Sequence, residues 1–326
     1  MQLVLLLLSL IFAVVPLVCF LGVVWWLDRY DREPLWLVGL TFGWGATGAI
    51  VGALIFSGIF NLPFEIFLSP EAADGIGASF IAPLVEEPSK AIFLLIIYFS
   101  RHFDNTTDGF VYGAAAGLGF GMTENFMYFS SVAETGDLFA WGGTVVIRTL
   151  YSAMMHACAS SVVGAALGFV KFRSIGYKLV IPVLGLGVAM AIHALWNGLL
   201  TLDGVLEADG AFAVLNFLLF PLEFLGLFIT LQVCLQVEKR MIRRELAGEA
   251  MQGWMPQDHV QILSSTLARN RKTWLPRGVN QDRYVVAATT LAFRKHQART
   301  STDPMYANEV TRLRGELRGM LQGAQA

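Results

Sequence analysis

Residues 81–99 read IAPLVEEPSKAIFLLIIYF. Without Glu86, Glu87 and Lys90 this run would be an ordinary membrane span; with them, three ionisable groups sit in or near its middle. A bilayer core about 30 Å thick requires roughly 20 mostly apolar helical residues. An ionised group at its centre costs about 2.5 to 3.5 kcal/mol on insertion scales, so such groups face a bundle interior or a water-filled cavity. Lys90 lies four residues after Glu86 and three after Glu87, on a shared helix face where it partly neutralises the pair. Two adjacent carboxylates in low dielectric cannot both ionise cheaply, which suits a general base beside a proton donor. Pro88 removes a backbone donor and leaves the Leu84 carbonyl to be satisfied by other groups or water.

Working outward, the span containing this run extends over 76–99, and six more stretches are long and apolar enough to cross: 2–27, 35–60, 109–130, 141–170, 179–202 and 211–237. The chain of 326 residues is 55% hydrophobic and only 15% charged, with a mean hydropathy of +0.58. Soluble domains rarely have this composition. The expected fold is all-α: a polytopic membrane bundle of about seven transmembrane helices over 1–237, followed by a small helical cytoplasmic tail over 238–326. The first stretch has no basic start and no small-residue cleavage site, and its apolar run continues to Trp25 and Trp26, so it reads as a retained helix rather than a signal peptide. Cys19, Cys158 and Cys234 all fall inside apolar spans, where no disulfide is expected.

The loops divide by charge. Segments 61–75, 131–140 and 203–210 hold acids such as Glu65, Glu71, Asp74, Glu134, Asp137 and Asp203, with no Lys or Arg. The alternate loops carry Arg29, Arg32, Arg101, Lys171, Arg173 and Lys178, and 238–326 holds 15 Lys plus Arg against 8 Asp plus Glu. By the positive-inside rule the chain is expected in the cell inner (plasma) membrane with its N-terminus outside and its C-terminus cytoplasmic. Helical spacing in the tail (Val260, Leu263, Leu267; Tyr284, Ala288, Leu291; Val310, Leu313, Leu317) gives three or four short helices. The tail reads first as a solvated helical domain and second as a surface for anionic headgroups of membrane lipid. No nucleic-acid module, phosphate-binding loop or Cys/His zinc pattern is present, so no nucleic-acid partner is expected.

Three other spans carry polar groups. Gly109, Gly113, Gly117 and Gly121 recur every four residues in the fourth span, a row that lets a neighbouring helix approach closely. The same row leads to Asn125, with Glu124 beside it. Arg148, Ser152, His156 and Ser160 form a stripe at the same spacing in the fifth span, and His193 and Asn197 share a face in the sixth. Arg148 has two readings, snorkelling outward or pairing with Glu124. Counted from the expected cytoplasmic end of each span, Glu87 and Glu86 lie 12 and 13 residues in, His156 and His193 both 14, and Glu124 15. At about 1.5 Å per residue that spread is on the order of 5 Å, the reach of one side chain. A lone intramembrane His or a glycine row is usually structural. Agreement in depth among four helices is the argument for a site. His102, His259 and His296 read as loop or tail surface.

Taken in order, LDRYDREP at 27–34, EEPSK at 86–90, GFGMTENFMYF at 119–129 and HALWN at 193–197 resemble the motifs of the PrsW intramembrane proteases, relatives of the CAAX-processing and bacteriocin-processing membrane proteases. The resemblance covers about 30–202 and leaves out the tail. It implies Glu86 and Glu87 as essential acids and His193 as an essential imidazole, with His193 and Asn197 resembling the pair that holds the oxyanion in CAAX proteases. His156 falls where the intermediate His motif lies.

The expected activity is that of an intramembrane endopeptidase. Glu86 or Glu87 takes a proton from water, His156 orients it, and His193 with Asn197 stabilises the tetrahedral oxyanion, Glu124 standing close by. This metal-free, glutamate-type version is preferred, so no cofactor is expected. The second version places zinc on His156, His193 and Glu87 as a His₂Glu site. The substrate expected from the depth of the cluster is a single-span membrane protein cut near the extracytoplasmic face. The resemblance implies an anti-sigma factor or similar regulator. The alternative is a proton-coupled transporter using the same Glu/His cluster, although the motifs show no inverted repeat. A non-catalytic scaffold would leave the acids unexplained.

Overall fold

The computed structural model describes residues 1–272 and 274–322. Among them there is helix and no strand, and two compact units separate: 1–27 with 33–231, and 28–32 with 232–326. In the first unit α1 runs Gln2–Leu27. Leu35–Trp44 (α2) and Ile50–Phe67 (α3) are joined by a π-helical segment, Gly45–Ala49. Pro70–Ile76 (α4) and Ala82–Tyr98 (α5) are joined by a second, Gly77–Ile81. Thr106–Thr135 is α6. Leu138–Ile147 (α7) and Ala153–Val170 (α8) are joined by a third, Arg148–Ser152. Ile175–Val205 is α9 and Ala211–Met251 is α10, whose end belongs to the second unit.

Five of these runs are long and apolar enough to cross a membrane: Gln2–Leu27, Leu35–Phe67, Leu138–Val170, Ile175–Val205 and Ala211–Met251. The remaining two expected spans coincide with α4–α5 and α6. Both are more polar because they carry the charged groups and the glycines. Such polarity is tolerated on α6 because that helix is enclosed: every residue from Thr107 to Gly121 is buried.

The start of α6 is fixed by a capping box, Asn105 Oδ1 accepting from the Asp108 amide at 3.0 Å while Asp108 accepts from the Asn105 amide at 3.1 Å. Its end is fixed by Gly136 in the left-handed region, φ 74°. Asp137 then caps α7 through the amides of Phe139 and Ala140.

The glycine row does what its spacing predicts. A Cβ on Gly109, Gly113 or Gly117 would lie inside the backbone of α8, at the carbonyls of Gly164, Ser160 and His156 respectively. Gly119, on another face of α6, meets the Phe42 carbonyl, and Gly45 meets that of Ala116. Helix α6 is therefore held by backbone-to-backbone contact on two sides, and its side chains at 120 and 124 are set relative to α8 with little play.

In the second unit, the end of α10 joins Gln257–Leu263 (α11), Thr266–Arg269 (α12), Gln281–Thr300 (α13) and Pro304–Gln322 (α14). Glu249 is held by Lys295 at 2.6 Å and by Nε and Nη2 of Arg314 at 2.6 and 2.7 Å. The tail periodicity is observed with one exception. Val260, Leu263, Tyr284, Ala288, Leu291, Val310, Leu313 and Leu317 are buried, but Leu267 is 81% exposed, because the helix stops at Leu263 and restarts at Thr266 with Ser265 as its cap.

His259 is also not surface. It is buried, and its Nδ1 lies 2.8 Å from the Tyr284 hydroxyl. Burial holds its imidazole below the usual histidine range. A depressed native value means that the neutral ring stabilises the fold above the unfolded value of about 6.5, and that this contribution is lost as pH falls through the native value. Hydrogen-exchange protection of 257–269 and 281–293 should therefore fall on acidification, and His259→Gln should flatten that dependence.

Candidate active site

Glu86, Glu87 and Lys90 occupy consecutive turns of α5, His156 the first turn of α8, His193 the middle of α9 and Glu124 the second half of α6. These four elements bring five of the six expected side chains into one connected cluster. Glu87 is completely enclosed: its Oε1 lies 2.7 Å from Lys90 Nζ and 2.9 Å from His193 Nδ1, and Ser160 Oγ is 3.5 Å from Oε2. Lys90 Nζ is also 2.9 Å from His156 Nδ1 and 4.0 Å above the Phe120 ring. On the far side of that imidazole, Nε2 lies 2.7 Å from Glu124 Oε2, which in turn pairs with Arg148 at 2.7 Å. The two imidazole rings stand edge to face, 4.9 Å between centroids.

The adjacent carboxylates separate into two environments. Glu87 has its oxygens spent on Lys90, His193 and Ser160. Glu86 keeps 13% of its side chain exposed, stands 3.7 Å from Lys90 and 3.9 Å from His193 Nε2, and has an Oε2 with no hydrogen-bond partner. A carboxylate placed like this has an unused acceptor facing the second nitrogen of His193. Glu86, His156 and His193 also form a grouping, among the described residues, whose ligand atoms all lie within 4.8 Å of one another and that could hold a metal ion. It contains Glu86 in the position the sequence reading gave to Glu87, because the oxygens of Glu87 are already used.

Asn197 stands apart from this cluster. Its Nδ2 donates 2.9 Å to the Ala78 carbonyl inside the Gly77–Ile81 π segment. Thr123 does the same for the Gly45–Ala49 segment, its hydroxyl donating 2.8 Å to the Ala46 carbonyl. A π turn leaves backbone groups out of the i→i−4 ladder, and inside a membrane those groups need partners. Phe120 and Thr123 lie within the motif at 119–129 but carry no expectation of their own, and nothing in the 3.6-residue period announces the one inserted residue of a π segment. Arg148 follows the second of its two readings and pairs inward.

Lys90→Met tests how strongly the cluster depends on its ammonium. Removing one partner of a buried pair leaves Glu87 uncompensated, at a cost of about 3–5 kcal/mol. Denaturant unfolding in detergent should show a loss of that order, while Ser89→Ala, which removes only a hydroxyl bonded to its own helix at Val85, should change little.

The family model described as PrsW family intramembrane metalloprotease matches residues 33–225. The chain is 28% identical to Protease PrsW of Bacillus subtilis (strain 168) over 179 residues, 53% of this chain and 74% of the relative. It is 29% identical over 190 residues to Protease PrsW of Oceanobacillus iheyensis, 57% of this chain and 80% of the relative. It is 32% identical over 167 residues to Protease PrsW of Geobacillus kaustophilus, 49% of this chain and 65% of the relative. No solved structure gives a significant match. All the residues of the buried cluster lie inside the matched region, and the chain belongs to the PrsW family of intramembrane proteases.

Proposed function

We propose that the protein hydrolyses a peptide bond of a single-span membrane protein near the extracytoplasmic face, by a glutamate-type mechanism in which Glu86 is the base. The observation that carries this reading is the open Oε2 of Glu86, buried and facing His193 Nε2 at 3.9 Å. Glu86 takes the proton of a water placed between its carboxylate and the His193 imidazole as the water oxygen bonds to the scissile carbonyl carbon, and gives that proton to the amine nitrogen as the C–N bond breaks. Glu87, an acceptor 2.9 Å from His193 Nδ1, fixes the proton on that nitrogen and supports the ring as an imidazolium, whose Nε2–H then faces the developing oxyanion. Asn197 reaches the same oxyanion only by releasing the Ala78 carbonyl. With the N-terminus outside, the cluster lies nearer the outer face, and a membrane-anchored regulator of the anti-sigma type is the substrate class this reading carries forward.

The family's metal has a chemically suitable donor set in Glu86, His156 and His193, with Glu87 behind His193 as an outer-shell carboxylate. A divalent metal bound there would supply Lewis acidity to the scissile carbonyl and make a water more acidic. His156 would hold it only after giving up Lys90 at Nδ1 or Glu124 at Nε2, whereas Glu86 Oε2 is open as it stands. That difference in readiness is why the glutamate-type reading is preferred.

The test is reconstitution of the purified protein with extracted single-span membrane proteins and identification of new N-termini by mass spectrometry. The fastest-cut protein then serves as a reporter. Cleavage that persists after chelation supports the glutamate type. Cleavage lost on chelation and restored by zinc transfers Glu86 to the metal-holding role. No new N-termini from any membrane protein would sink the proposal.

A further inference from the structure

The hydrolytic scheme makes no use of Arg148, yet it is among the most engaged cations of the first unit. It opens the π segment Arg148–Ser152 and grips one face of α6 at three points. Its Nη2 lies 2.7 Å from Glu124 Oε2, its Nε donates 3.2 Å to Asn125 Oδ1, and its guanidinium lies 3.6 Å over the Tyr128 ring. The same Glu124 oxygen is 2.7 Å from His156 Nε2. On the opposite edge of that ring stands Lys90, 2.9 Å from Nδ1, and a lysine ammonium has donors only. Nδ1 must then accept, so Nε2 carries the proton and donates to Glu124.

We propose that Arg148 is a positioning residue: acting through Glu124, it fixes the ring plane and tautomer of His156. The inference rests on the site reading above and adds a residue that the reading does not use. A guanidinium suits the task better than an ammonium, because its planar fork meets a carboxylate and an amide oxygen together while its face stacks on an aromatic ring. Adhesion between α6 and α7 does not require it, since Trp141 and Val145 already pack there against Phe129 and Ala133. What Arg148 adds is a fixed charge at the one oxygen that His156 also contacts.

The experiment uses full-length protein in nanodiscs, labelled with ¹⁵N-histidine, with the His156 signals assigned by His156→Gln, and the reporter defined above. Arg148→Gln should move the His156 ring-nitrogen signals and lower kcat by up to about 100-fold, the cost of a misplacement of about 1 Å, with KM unchanged within about twofold. Arg148→Lys should recover part of both effects. Glu124→Gln should resemble Arg148→Gln, and the double variant should be no worse than either single one. Unmoved His156 signals, or losses that multiply in the double variant, would overturn the proposal. If Arg148→Gln does not fold, Arg148→Lys decides the matter: a partial shift supports the role and an unshifted signal ends it. A Glu86→Gln variant that still cleaves would remove the hydrolytic scheme, while the ring-nitrogen signals would continue to report on Arg148 alone.

Discussion

Glu86→Gln is expected to reduce cleavage of the reporter by about 10²- to 10⁴-fold, the range a positioned general base contributes, while leaving the folded state intact. Both halves follow from the geometry. Gln is nearly isosteric, and Glu86 makes no hydrogen bond through Oε2 that its replacement would break; its nearest cation is at 3.7 Å and its nearest imidazole nitrogen at 3.9 Å. The substitution thus removes proton affinity and little packing. Glu87→Gln is the necessary comparison. There the replaced oxygen accepts from Lys90 at 2.7 Å and faces His193 at 2.9 Å, so an amide would strand the ammonium and misplace the ring, and activity and stability should fall together. The outcome that contradicts this division of labour is a stable Glu87→Gln protein without activity beside a Glu86→Gln protein that still cuts. Measuring unfolding and kcat on the same preparations separates the two cases.

That division was not legible in EEPSK itself. Adjacent acids on a helix point about 100° apart, so one must turn away from any single partner. The spacing shows that Lys90 reaches both, but the choice depends on which neighbour closes around each. His193 and Ser160 come from α9 and α8, far off in sequence, and both contact Glu87. The shared depth of Glu86, Glu87, Glu124, His156 and His193 was legible, because helix rise converts residue count into height regardless of packing. The start of α6 was also available. Asn105 and Asp108 stand at capping-box spacing, which places the helix start at Thr106 rather than at 109. Ser69 followed by Pro70 marks the start of α4 in the same way, the serine as cap and the proline at the first helical position. His259 falls four residues before Leu263 and beside Val260, on the face that the tail periodicity had already buried. The three π segments had no such signal. Each inserts one residue into a helix whose hydrophobic pattern is continuous on both sides, and their effect is visible only in the partners that their carbonyls and side chains acquire, such as Thr123 at Ala46 and Asn197 at Ala78.

Gly117→Ala should be as damaging as the loss of a catalytic group, although the residue touches no reacting atom. A Cβ at this position would lie 2.6 Å from the carbonyl carbon of His156 and 2.8 Å from the Cα of Ala157. Backbone cannot rotate out of the way as a side chain can, so α8 must move away from α6 by something approaching 1 Å. Overpacking of this kind costs typically about 1–3 kcal/mol, which a bundle with many buried contacts can absorb without unfolding. The site cannot absorb it. The displaced segment carries His156, whose ring is held at 2.7 Å by Glu124 on α6 and at 2.9 Å by Lys90 on α5, and a misplacement of about 1 Å can cost about 10²-fold in rate. The expected result is a protein that still purifies as a folded bundle, with kcat on the reporter reduced about 100-fold and a modestly lowered unfolding midpoint. Gly187→Ala is the control, since nothing lies within 4 Å of its added methyl and alanine is the better helix former. Equal activity in the two variants would mean that α6 and α8 are not in the contact described here, and that the placement of His156 owes nothing to the glycine row.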